Sequence, residues 1–248
     1  ATGRAARVSE KLTPITLNAR ADIKPTARER GTPLPAVVTE ALAHFGIAGP
    51  SGLFVIEGRA ASGKTWVLRA LSVRLARAQT GGEGAAWLPL RLALASLAMI
   101  APIDDAIAKH EHVRALARAR DERRLILLLD GLKEVPNARR DAILKEVGAI
   151  VAEGAVVVIS SRPSATNAND LAPMGFRFYS VMPLHDDVVT TALGGASPMA
   201  EYVETHLELS LAKDAREKRE APATRAALYT SAINRLVAKA GGGGAGAG

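Results

Sequence analysis

Eight consecutive residues, Gly58-Arg59-Ala60-Ala61-Ser62-Gly63-Lys64-Thr65, fit the phosphate-cradling pattern G-x-x-x-x-G-K-[ST]. The chemistry such a run can do is anion binding. Glycines let the backbone turn its N–H groups toward a phosphate, and a following helix adds the positive end of its dipole. In that arrangement Lys64 reaches the β- and γ-phosphates and the Thr65 hydroxyl sits on Mg²⁺. A second candidate is Asp130, which closes the apolar run Arg124-Leu125-Ile126-Leu127-Leu128-Leu129. A carboxylate at a strand tip beside a phosphate loop can hold Mg²⁺ directly or through water.

These residues need a scaffold, and the flanking pattern supplies one. Leu53-Phe54-Val55-Ile56-Glu57 reads as a short buried strand, and the segment from Trp66 to Leu75 reads as a helix. Further strands are expected at Ala86–Leu92, Arg124–Asp130 and Ala155–Ser160, with Phe176–Val181 as a sixth, alternating candidate. Helices are expected at Leu34–Phe45, across 102–120 and at Asp141–Ala152, and Gly81-Gly82-Glu83-Gly84 reads as a turn. Near-continuous apolar strands alternating with helices predict a three-layer α/β fold, a parallel sheet covered on both faces. After residue 184 the pattern is helical, at His185–Leu193, Met199–Glu220 and Thr224–Ala240. The expected divisions are an N-terminal arm and helix over 1–50, with a strand-like piece at Leu12–Leu17, and a nucleotide-binding domain over 51–184. A helical appendage over 185–240 and a glycine-rich tail over 241–248 follow.

Composition narrows the classes. The chain has 248 residues, 48% of them hydrophobic and 23% charged, enough for one α/β domain and a smaller appendage. Cysteine is absent, which excludes disulfides and thiolate chemistry and suits a cytoplasmic setting. No apolar run has the length of a membrane span, so no membrane partner is expected. The net charge of +7 permits nucleic-acid contact without indicating it, because Lys and Arg are spread along helices with little aromatic interleaving. The start at Ala1 and the glycine-rich ending suggest a piece of a longer chain. His110 and His112 flank Glu111, but residues two apart point to different helix faces, which argues against a metal pair.

Three blocks together resemble a NACHT-type signalling NTPase, within the STAND class of P-loop ATPases. They are Gly58–Thr65, Leu127-Leu128-Leu129-Asp130-Gly131-Leu132-Lys133-Glu134, and Ser160-Ser161-Arg162-Pro163 after a strand. The resemblance covers about 50–240 and implies a P-loop NTPase that binds ATP or ADP with Mg²⁺. It also implies that nucleotide state is coupled to self-association into a ring or higher oligomer. Carried over to this sequence, Gly58, Arg59, Ala60, Ala61, Ser62, Gly63, Lys64 and Thr65 bind the nucleotide, and Thr65 and Asp130 hold the metal. Asp130, Glu134 and Arg162 serve catalysis: Glu134 polarises the attacking water, and Arg162 is the sensor arginine that reads the γ-phosphate. Pro222 matches a proline that touches adenine, and Trp66 is a stacking candidate for the base.

Two positions depart from that family. Position 133 is Lys where Asp is usual, placing a cation near the metal, and position 61 is Ala where Gly is frequent. The expectation is nucleotide binding with slow ATP hydrolysis. Two other readings fit the same residues: an AAA+-like remodelling ATPase acting on DNA or protein, and a hydrolysis-dead oligomerisation scaffold.

Overall fold

The computed structural model describes residues 15, 17–23, 34, 36–49, 52–78, 87–100 and 102–241. Most of the 12–17 segment, the Gly81–Gly84 turn and the tail beyond 241 lie outside the described residues. The described chain divides into two units, one comprising 15–60 and 64–182 and the other 61–63 and 183–241.

The first unit is built on a six-stranded sheet of order β1-β6-β2-β5-β4-β3. The strands are β1 (Leu17–Ala19), β2 (Leu53–Glu57), β3 (Leu88–Ala93), β4 (Leu125–Asp130), β5 (Val156–Ser161) and β6 (Arg177–Val181). All neighbouring pairs are parallel except β1 with β6, which is antiparallel with Leu17 opposite Val181. That edge strand falls within the segment expected to be an arm. The alternating segment 177–181 is an interior strand between β1 and β2.

Strand side chains divide between the faces with the period of two that a pleat imposes. On one face Leu53, Val55, Leu125, Leu127, Leu129, Val157 and Ile159 form a core with residues from α4 (Ile103–Ala108), α5 (Val113–Asp121) and α6 (Asn137–Ala152). On the other, Phe54, Ile56, Ile126, Leu128, Val156 and Val158 pack under α1 (Ala36–Ala43) and α2 (Lys64–Ala78). Each fully buried Val, Leu, Ile or Phe contributes about 1.5–3 kcal/mol relative to exposure. This explains why β2, β4 and β5 are apolar almost throughout. Gly52 lets β5 come close: a Cβ there would stand 2.7 Å from Val156 Cγ2, and its carbonyl accepts from the Val157 N–H at 2.7 Å.

Three helix boundaries differ from expectation. The 102–120 region is two helices separated around Lys109–His112, and α3 (Leu94–Ile100) precedes them. The α4 N-terminus is pinned by Glu146, whose carboxylate accepts from the Ile103 N–H at 2.6 Å. Helix α6 begins at Asn137, directly after Pro136 and ahead of the expected Asp141; its first turn buries an arginine, Arg140, where apolar periodicity would look for a hydrophobe. Between β5 and β6 lies α7 (Ala165–Leu171).

The second unit carries α8 (Asp186–Ala192), a 3-10 turn at Pro198–Tyr202, α9 (His206–Glu217) and α10 (Arg225–Gly241) around Val189, Leu193, Met199, Leu209, Ala212 and Leu228. The expected helix 199–220 is interrupted by a capping box. Thr205 Oγ1 accepts from the Glu208 N–H at 3.2 Å, and Glu208 Oε2 accepts from the Glu204 and Thr205 N–H groups at 2.9 Å. Among the described residues no helix is long and apolar enough to cross a membrane.

Candidate functional site

The carboxyl ends of β2, β4 and β5 all lie at the same end of the sheet, because these strands are parallel. In open α/β sheets this is the end at which ligands bind. Strand β2 runs out at Glu57 into the glycine-rich loop, and α2 begins at Lys64. Ala61 (φ +62°) and Gly63 (φ +101°) are in the left-handed region, the conformation in which successive N–H groups form an anion-binding concavity. The positive φ at Ala61 is a strain that Gly would relieve.

Lys64 is half-buried, and its ammonium donates to the carbonyls of Gly58 and Arg59 at 2.7 Å each. Burial lowers its pKa below the ordinary lysine value; the charges acting on it are Glu134 and Asp130, which oppose that shift, and Arg162, which adds to it. Lys64, Asp130, Glu134 and Arg162, dispersed over 99 positions of sequence, are thus within electrostatic reach of one another.

Asp130, at the tip of β4, is tied from two sides. Its Oδ1 accepts from Ser160 Oγ at 2.6 Å and from Thr65 Oγ1 at 3.2 Å, and its Oδ2 lies 3.5 Å from Arg91 Nη1. A hydroxyl and a carboxylate this close make a hard, oxygen-only pair. This fits Mg²⁺, which takes one or two protein oxygens and completes its shell with water and phosphate. Among the described residues no cluster of three or more His, Asp or Glu could cage a metal by itself. His110 and His112 stand as tilted rings 5.6 Å apart, with His110 Nδ1 accepting the His112 N–H.

Gly131 follows Asp130 with φ +86°, and its N–H donates to Ser160 Oγ at 2.9 Å. The left-handed φ is what favours glycine here, and a Cβ would also meet the carboxylate end of the Glu134 side chain. The exposed Glu134 therefore curls back over Gly131, through a 3-10 turn spanning Leu132–Glu134. Lys133, in the same turn, is exposed and is not among the charges acting on Lys64. Trp66 is half-buried and packs edge-on to Phe45, with ring centroids 6.3 Å apart. Pro222 belongs to the second unit, where its carbonyl accepts from Tyr202 Oη at 2.7 Å.

Several residues beneath this site have no motif to announce them. Glu57, fully buried at the end of β2, pairs with Arg20 Nη1 at 2.7 Å. Asn167, also fully buried, donates to Ser161 Oγ and the Arg162 carbonyl, and Arg140 donates to its side-chain carbonyl. Arg91 completes the set around Asp130, opposite Ser160, which the third block does contain. A polar residue inside an apolar run, such as Ser160-Ser161 at the end of β5, is the one sequence signal that could have flagged them.

Fold and loop together define the class: an α/β P-loop NTPase fold, with a mostly parallel six-stranded sheet flanked by helices. No family model and no curated protein sequence matches the chain. Among solved structures, it is similar to domain III of the Thermotoga maritima replication initiation protein DnaA at 15% identity and TM-score 0.47, covering 81% of this chain and 88% of that one. Aeropyrum pernix ORC1 in complex with DNA gives 18% identity and TM-score 0.47 over 80% of this chain and 62% of that one. C. elegans PCH-2 gives 14% and 0.41 over 64% of this chain; the match spans less than half, 43%, of the PCH-2 chain. Likenesses at this level carry no statement about activity or partners.

Proposed function

We propose that this chain is the nucleotide-binding core of a P-loop ATPase that binds ATP or ADP with Mg²⁺. The observation that carries the reading is the convergence of Lys64, Thr65, Asp130, Glu134 and Arg162 at the carboxyl end of one parallel sheet. Lys64 and the loop hold phosphate, and Thr65 and Asp130 hold the metal. Bound Mg²⁺ would neutralise phosphate charge. Glu134 orients water, and Arg162 meets the terminal phosphate. The three-block resemblance supports a signalling switch, in which nucleotide state sets association with further copies. The direct test is titration of the purified protein with labelled ATP and ADP, with and without Mg²⁺. Absence of binding to either would leave only the scaffold reading. A remodelling ATPase acting on DNA is the second reading, for which the net charge of +7 leaves room. Salt-sensitive DNA binding that accelerates hydrolysis would favour it.

Hydrolysis is expected to be slow, because Lys133 puts a cation in the turn that carries Glu134. Lys133→Asp is expected to raise single-turnover hydrolysis about tenfold, the effect of removing roughly 1.4 kcal/mol of unfavourable charge. Brisk turnover by the unmodified protein, unchanged in Lys133→Asp, would contradict this.

The lowered Lys64 pKa gives a pH signature. Phosphate needs the ammonium, so ATP affinity should begin to fall at a pH below the ordinary lysine value of 10.5. Stability moves the other way. Between the lowered folded pKa and 10.5 the unfolded chain binds more protons, so this group's contribution to stability rises with pH. Fluorescence titrations across pH 7–10 on wild type and Lys64→Arg check the first effect, since arginine should flatten the profile.

A further inference from the structure

Beneath the loop, a group of buried and half-buried polar side chains joins the end of β2 to the end of β5. Glu57 Oε2 binds Arg20 at 2.7 Å, and Glu57 Oε1 lies 3.5 Å from Asn167 Nδ2. The same amide nitrogen donates to Ser161 Oγ at 2.7 Å and to the Arg162 carbonyl at 2.9 Å. On its other side, Asn167 Oδ1 accepts from Arg140 Nη2, which also lies 3.5 Å from Asp170. Asn167 is 0% exposed and Arg140 6%. The backbone adds a further tie, since the Gly58 N–H donates to the Ser161 carbonyl at 3.2 Å.

The chemistry of these groups fixes their orientation. A guanidinium can only donate, so Arg140 forces the Asn167 carbonyl toward itself and turns the NH₂ toward Ser161 and Arg162. Nothing in the phosphate chemistry calls for a buried arginine behind a buried asparagine, and burying such groups is unfavourable unless each is satisfied. What the pair does is hold the backbone at Arg162 against the start of the loop, while the Arg162 side chain stays exposed on the Lys64 side.

We propose that Asn167, oriented by Arg140, is the positioning residue for Arg162, and that this strut sets how well the site separates ATP from ADP. The inference rests on the nucleotide-binding reading above. On that reading Arg162 meets the terminal phosphate, which ADP lacks, so loosening Arg162 should weaken ATP and leave ADP binding alone. Replacing Asn167 by alanine removes both donated bonds and should cut the ATP-over-ADP preference about tenfold, as Arg162→Ala should.

The test measures ATP and ADP dissociation constants for wild type, Arg162→Ala, Asn167→Ala and the double variant. If Asn167 acts through Arg162, the double variant is no worse than Arg162→Ala, and ADP affinity changes by less than about twofold. Full additivity of the two substitutions overturns the proposal. Arg140→Lys, which keeps a donor, should retain the preference, and Arg140→Met should lose it.

Should Asn167→Ala fail to fold, Asn167→Asp keeps the shape and the Arg140 contact but loses both donated bonds. It is made together with Glu57→Gln, so that two buried carboxylates do not face each other, and is compared with Glu57→Gln alone. Amide hydrogen exchange over 161–168 of the nucleotide-free protein should then quicken. Unchanged exchange there overturns the strut whatever the nucleotide data show. If wild type binds neither nucleotide while exchange still quickens in Asn167→Asp, the function reading fails and the strut stands as a structural tie only.

Discussion

Lys64→Met is expected to weaken ATP binding by at least about a hundredfold, the largest effect of any single change at the site. The ammonium is the half-buried cation of the loop, whereas Arg59 in the same loop is exposed. A charge-assisted hydrogen bond is worth about 1.5–3 kcal/mol, and two of them lost together amount to roughly two decades or more of affinity. Methionine keeps the length and apolar stem, so the fold should survive. In the free protein the ammonium rests on the Gly58 and Arg59 carbonyls. Removing it leaves the Arg59 carbonyl to water and takes one donor from the carbonyl of buried Gly58, so a loss of stability of only about 1 kcal/mol is expected. Isothermal titration with ATP and ADP, beside thermal melts with no nucleotide, separates the two effects. Retained affinity in a folded Lys64→Met protein would contradict the assignment of the loop.

Arg20→Met should have the largest effect on stability. Its partner Glu57 is fully buried at the end of the central strand, and removing one member of a buried ion pair typically destabilises by about 3–5 kcal/mol. The value here should sit toward the lower end, because the Arg20 side chain is 28% exposed and also pairs with Asp22, contacts that raise its pKa. The double variant Arg20→Met/Glu57→Gln should recover part of the loss, since a neutral amide tolerates burial that a lone carboxylate does not. Urea unfolding of the three proteins measures it. Equal midpoints for Arg20→Met and wild type would show that solvent reaches Glu57.

What could be read directly from the residues was whatever repeats locally. Leu53–Glu57, Leu125–Asp130 and Val156–Ser161 are strands because each apolar run is buried on both faces, and such runs are visible one after another. Asp130 was legible because it interrupts such a run at its end. Edge strand β1 was not, being three residues held by an antiparallel partner more than 160 positions away. The same holds for the polar strut. Arg140 and Asn167 are 27 positions apart and Glu57 and Asn167 are 110 apart, so no window of sequence contains their hydrogen bonds. The start of α6 was misplaced for a related reason: its first buried side chain is Arg140, a charged residue whose burial makes sense only once Asn167 and Asp170 are beside it. The Thr205–Glu208 capping box, in contrast, was present in the letters and would have divided the 199–220 helix.

Strand β5 separates the strand that leads into the phosphate loop from the strand that ends in Asp130. Two interstrand spacings, about 9–10 Å, therefore lie between the two tips. Ser160, near its end, grips Asp130, and the next residue, Ser161, is gripped by Asn167 and by the Gly58 N–H. The metal side and the arginine side of the cleft are thus ganged to a single strand, like two hands on one shaft. A slide of β5 along its own axis by a fraction of an ångström would reset both at once, and neither can drift without the other.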